Sequence, residues 1–166
     1  MRVAVAGGTG LVGKYVVAEL RDAGHTPGKR AQERLVRDGG VPWTVVRATQ
    51  FFEFPEPLLN SASPVVVVPR MLTRPVAAQD VAETLVEHAV KGPAGMAPEI
   101  AGPDQLDMVD MARRIARARG RRRLVVPVTL PGRVGKAMTT GGLLPRGEYL
   151  RGSRTFDAHL ASIRAA

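Results

Sequence analysis

Near the start of the chain, Gly7-Gly8-Thr9-Gly10-Leu11-Val12-Gly13 has the residue types and spacing that a phosphate site needs. Glycine has no Cβ, so Gly7, Gly10 and Gly13 permit a tight turn and let backbone N–H groups come close to an anion. A helix opening inside that turn aims its positive dipole end at the same charge. Pyrophosphate binding is therefore the chemistry on offer, with Gly7, Thr9, Gly10, Leu11, Val12 and Gly13 as its contact residues. Groups able to make and break bonds are sparse. The chain has no cysteine, hence no thiolate nucleophile, disulfide or cysteine zinc site. His25, His88 and His159 lack metal-ligand spacing, the serines sit in no GxSxG elbow, and the acids form no recognisable carboxylate pair. Neither a metal site nor hydrolase chemistry is expected.

The elements around the turn suit a dinucleotide. Arg2 to Ala6 is a short apolar run without alternation, as in a strand buried on both faces of a parallel sheet. After the turn, Val12, Val16, Leu20 and Ala23 make one helical stripe, and Gly24 stands where a left-handed C-cap belongs. A dinucleotide fold should continue with a second strand ending in a ribose-reading residue about 20 positions on. Here Gly24-His25-Thr26-Pro27 leads straight into another helical segment, Lys29 to Asp38, closed by Gly39-Gly40. Glu33 falls near the ribose-reader distance, but on a helix, which favours a surface ion pair.

Farther along, Trp43 to Ala48 reads as a strand, and Phe51 to Pro57 gathers aromatics and prolines into a loop or broken helix. Val65 to Val68 is a strand, residues 74–77 are extended, and a helix runs from about Gln79 to Val90 with Val81, Leu85 and Ala89 on its apolar face. Residues 98–102 form a strand. Asp107 caps a helix whose stripe is Met108, Met111, Ile115 and Ala118, with Gly120 closing it. Leu124 to Val128 is a strand, Pro131 to Met138 a short helix, and Thr155 to Ile163 a final helix after a glycine-rich loop. With 166 residues and no obvious linker or internal repeat, one domain is expected.

The composition, 45% hydrophobic and 23% charged, is that of a globular chain. No apolar run approaches the ~18 residues of a membrane span, and Met1-Arg2-Val3 opens a strand rather than a signal core, so a cytoplasmic location is expected. The net charge of +9 comes mainly from arginine, densest from Arg113 to Arg123. Without interleaved aromatics or a DNA-binding motif, that tract reads as a solvated helix face rather than a nucleic-acid patch.

Two blocks of the chain resemble an atypical short-chain dehydrogenase/reductase of the NmrA-like, NAD(P)-binding kind. The first, Val3 to His25, carries the GGTGxxG turn. The second runs from Lys29 to the C-terminus. Within it, Lys29 to Gln32 resembles the helix after the family's active-site lysine, Trp43 to Phe54 the strand and aromatic loop at the nicotinamide end, and Arg74 to Ala82 the "PV…DVA" segment. The resemblance implies a Rossmann-like, doubly wound parallel α/β sheet in a single domain, residues 1–26 forming the glycine-turn βα unit and 29–166 the C-terminal half. At about 30 residues per βαβ unit, roughly 60 to 90 residues are missing between His25 and Lys29, an internal deletion of several central βα units.

The resemblance also implies a cofactor, NADP or NAD, with Phe51 and Phe52 next to the nicotinamide. Lys29 matches the lysine that binds ribose and lowers the pKa of the family tyrosine. Four positions before it stands His25, and Tyr15 and Tyr149 lie outside the motif. The implied ancestral activity is reduction of a small carbonyl or quinone, impaired in this shortened chain. The alternative is a non-catalytic NmrA-like redox sensor or regulatory interaction protein. Loss of the strands flanking residues 2–6 would leave that strand unpaired unless Trp43 to Ala48 moves beside it or a second copy supplies an edge, so a homo-oligomer is a further expectation.

Overall fold

Parallel strand pairing with intervening helices organises the chain into a mixed α/β fold. The computed structural model describes residues 29–165. The strand expected over residues 2–6, the expected glycine turn and the helix expected from Gly10 fall outside the described residues. The chain divides into two compact units, one comprising residues to Val45 with His88–Met96, the other Val46–Glu87 with Ala97–Ala166.

In the first unit, α1 (Lys29–Asp38) ends at Gly39-Gly40, where Gly40 adopts a left-handed φ of 67°. Strand β1 (Thr44–Val45) pairs in parallel with β4 (Gly95–Met96). Trp43 closes this pair: its carbonyl accepts the Gly95 N–H at 3.0 Å, and the Arg37 guanidinium lies 5.9 Å from its ring centroid. The strand expected over residues 43–48 is thus reduced to Thr44–Val45. On the partner side, Pro98 has no N–H to offer, and the ladder that begins at β4 stops before it.

The second unit holds the main core. Helix α2 (Glu56–Leu59) follows the proline-rich loop, β2 (Val65–Pro69) and β3 (Leu72–Thr73) come next, and α3 (Ala78–Lys91) begins in this unit. Then come β5 (Glu99–Ala101), β6 (Leu106–Asp107), α4 (Met108–Ala118), β7 (Leu124–Val128), α5 (Gly132–Thr139), β8 (Tyr149–Arg151) and α6 (Phe156–Ala165). Strand β2 pairs with β7 and β5 with β8, both in parallel, while β3 and β6 are antiparallel. The described strands form two-stranded pairs, and isolated parallel bridges add Ala48 to Ile100 and Phe51 to Val76.

Helix α4 is the element most clearly written in the sequence. The Asp107 carboxylate accepts the backbone N–H groups of Val109 and Asp110, which caps the helix as expected. Met108, Met111 and Ile115 are buried on the predicted face, against Val66, Val68 and Val125 of the β2–β7 pair. Phe52, Leu59, Phe156 and Leu160 complete this core. A smaller cluster joins Val76, Val81 and Ile100, with Leu85 packed against it.

Candidate functional site

Of the residues expected at a site, Gly7, Thr9, Gly10, Leu11, Val12 and Gly13 lie outside the described residues, as does His25. Lys29 is the first residue of α1. Phe51 and Phe52 follow the segment that bridges to Ile100, and the chain sends them to different environments. Phe51 is 41% exposed, whereas Phe52 is 2% exposed and belongs to the core. The Phe52 ring lies 5.4 Å from Phe156 and 5.4 Å from His159, in tilted aromatic contact. Phe52 therefore anchors the loop from beneath, and Phe51 is the aromatic that a ligand could reach.

Strand ends converge around these residues, the location where open α/β sheets hold ligands. The Ile100 N–H donates to the Arg47 carbonyl at 2.8 Å, and the Thr49 N–H to that of Ile100 at 3.1 Å. Residues 74–76 cross the ends of both segments. The Val76 N–H donates to the Gln50 carbonyl, the Phe52 N–H to the Val76 carbonyl, and the Gly102 N–H to the Arg74 carbonyl. Gly102 is required at this crossing, since a Cβ there would fall 1.7 Å from the Pro75 oxygen. The sequence offers Gly102 only as a strand end before Pro103, with no hint of the Pro75 contact.

Side chains tie the crossing together. The Thr49 hydroxyl donates to the Arg74 carbonyl and the Thr73 hydroxyl to the Gln50 Oε1. Arg74 donates to the Pro103 carbonyl at 3.0 Å, and its guanidinium lies 5.6 Å from the Tyr149 ring centroid. The Gln50 Oε1 is thus engaged by Thr73, while Phe51 and, farther along the loop, Phe54 at 47% exposure present their rings to solvent. Among the described residues, no group of three His, Asp or Glu side chains could hold a metal ion.

A second polar centre, not anticipated from the sequence, lies at the start of α3. Asp80 is 5% exposed and accepts from the Ser153 hydroxyl at 3.3 Å, the Arg154 backbone N–H at 3.1 Å and the Arg154 guanidinium. The same guanidinium reaches the exposed Glu83 at 2.8 and 3.0 Å. These hydrogen bonds hold the Glu83 carboxyl below its usual range, and Glu83 and Asp80 raise the Arg154 pKa further. The only sequence signal here was an acid in the first turn of a helix, which its dipole favours. Nothing local points to Arg154.

The arginine tract is largely engaged in internal contacts. Arg113 donates to the Val125 carbonyl, Arg119 pairs with Glu56 at 2.6 Å, and Arg121 reaches the Leu59 carbonyl and Asn60. Arg123 donates to the Ser63 carbonyl, and Arg114 pairs with Asp157 while lying over the Phe156 ring. These contacts fasten α4 and the turn after it to residues 56–63 and to α6.

Comparisons with known proteins add little at the level of family. No family model matches the chain, and no curated protein does. Among solved structures the chain is similar to RMD from Pseudomonas aeruginosa complexed with NADPH, at 13% identity and a TM-score of 0.42. The likeness covers 82% of this chain and 53% of that one, so the chain spans about half the length of the structure it matches. No helix among the described residues is long and apolar enough to cross a membrane.

Proposed function

We propose that the chain is an NAD(P)-binding protein descended from the short-chain dehydrogenase/reductase superfamily. The observation that carries this reading is the glycine turn at Gly7 to Gly13, set between an apolar strand-like run and an amphipathic helical stripe. Gly7, Thr9, Gly10, Leu11, Val12 and Gly13 are assigned to the pyrophosphate. Phe51 is assigned to the nicotinamide, with Phe52 fixing its loop from the core. The parallel α/β frame of the described residues is compatible with that descent. The ancestral activity in this reading is hydride transfer from NAD(P)H to a small carbonyl or quinone.

Lys29 occupies the position of the family lysine, but the residue four positions earlier is His25 rather than tyrosine. That observation favours binding over turnover, and with it a second reading in which the chain reports cofactor occupancy to a partner. NADPH and NADH titrations followed by nucleotide fluorescence test the binding claim. The parent chain should bind one of them, and Gly10→Val should weaken it at least about tenfold by placing a branched side chain against the phosphates. Equal affinity in both chains removes the glycine-turn assignment. Steady-state oxidation of NADPH with carbonyl and quinone substrates separates the readings: turnover abolished by Lys29→Ala supports the enzyme, and its absence supports the sensor.

A further inference from the structure

The parallel pair β2–β7 has one face in the core and one face exposed among the described residues. Its register places Val65 beside Leu124, Val67 beside Val126 and Pro69 beside Val128. Val66, Val68 and Val125 point to the core under α4, and alternation puts the other set outward. That outer set is apolar throughout: Val65 is 42% exposed, Val67 55%, Leu124 63%, Val126 37% and Val128 36%. Parallel strands in α/β folds are covered on both faces, and a contiguous valine-rich patch is not what a solvated sheet face carries.

Among the described residues, the charged side chains that flank these two strands in sequence all have one sign. Arg70 follows β2 directly, its N–H donating to the Val128 carbonyl, and Arg122 lies two residues before Leu124. From Arg119 to Gly147, and from Ser61 to Val76, the chain contains no Asp or Glu. Arg70 and Arg122 are exposed and make no ion pair among the described residues. A second copy of the same face would bring like charges together. We propose that the outer face of β2–β7 docks an acidic amphipathic helix of a partner protein. A five-residue strand pair is roughly 17 Å long and about 10 Å across, the footprint of three turns of one helix. The helix's apolar stripe covers the valines, and its acids meet Arg70 and Arg122 at opposite ends.

The test uses the full chain and a synthetic helical peptide with a leucine stripe and glutamates elsewhere, followed by fluorescence anisotropy. Controls are the same peptide with lysines for glutamates, vesicles of phosphatidylglycerol and phosphatidylcholine, and light scattering of the chain alone. The acidic peptide should bind, at least about tenfold more tightly than the basic one, and with affinity falling as salt rises. Val67→Ser combined with Val126→Ser should abolish that binding. Both positions face outward, so circular dichroism and the urea midpoint should stay near those of the parent. Hydrogen exchange should slow in residues 65–69 and 124–128 on peptide addition. Equal binding of the two peptides, binding to vesicles in place of the acidic peptide, or a dimer dissociated by the double substitution would each overturn the proposal.

Discussion

Asp80, near the start of α3, accepts hydrogen bonds from both the backbone N–H and the guanidinium of Arg154, 74 positions later in the chain. One buried carboxylate thereby fixes the segment that leads into α6. Gly152 lies against the same group, and a Cβ at that position would come within 2.5 Å of Asp80 Oδ2. Asp80→Asn keeps the shape but removes the charge, leaving Arg154 with Glu83 alone. A stability loss of about 2 kcal/mol is expected from urea unfolding. An unchanged midpoint would mean that water replaces the pair at no cost.

Glu83 makes part of the acid sensitivity predictable in sign. Its carboxyl sits below the ordinary glutamate value because Arg154 donates to it in the folded chain. A folded pKa below the unfolded one contributes stability that is fully present above the unfolded value. It is lost as pH falls through the folded value. Glu83→Gln should therefore show a smaller drop in urea midpoint between pH 6 and pH 3 than the parent, and the exposed position keeps the difference small. An equal drop in both proteins would refute the assignment.

Gly102→Ala should be strongly disruptive, since the added Cβ would sit 1.7 Å from the Pro75 oxygen and 2.7 Å from its carbonyl carbon. Both obstacles are backbone, so relief needs the crossing segment itself to move. A loss of about 3 kcal/mol or more is expected, read from the thermal midpoint. A shift of only a few degrees would show that residues 74–76 yield easily.

Phe51 and Phe52 should separate in experiment. Phe52→Ala removes a ring packed against Phe156 and His159 and should cost about 3 to 5 kcal/mol. Phe51→Ala should leave stability within about 1 kcal/mol, and on the proposed function should weaken NAD(P)H binding several-fold. Should Phe51→Ala bind as the parent does, the nicotinamide assignment passes from this loop.

The long helices were legible because their information is local. Asp107 at the cap, Met108, Met111 and Ile115 at helical spacing, and Gly120 after the end are all read within one window, and α4 follows them. Strands β3, β4, β6 and β8 were not anticipated, because two or three residues carry no period and their pairing comes from distant chain. The Phe51-Phe52 pair shows the same limit at the site. Adjacent identical side chains differ only in which one the Phe156 and His159 rings cover, and those lie about a hundred positions on. Arg154 is a further case, since only the fold brings it to Asp80.

Asp107 belongs to two structures at once, as the last residue of β6 and the N-cap of α4. Its neighbour Met108 donates its N–H to the Met71 carbonyl at 2.9 Å, so the helix begins directly from a paired strand. Each residue of an α-helix advances about 100° around the helix axis. A one-residue slip of β6 along β3 would therefore rotate the whole of α4 by that angle and carry Met111 and Ile115 out of the core. The antiparallel pair, only two residues long, thus acts as the angular index of the most deeply buried of the described helices. Strand register and helix phase become a single choice that the chain makes once.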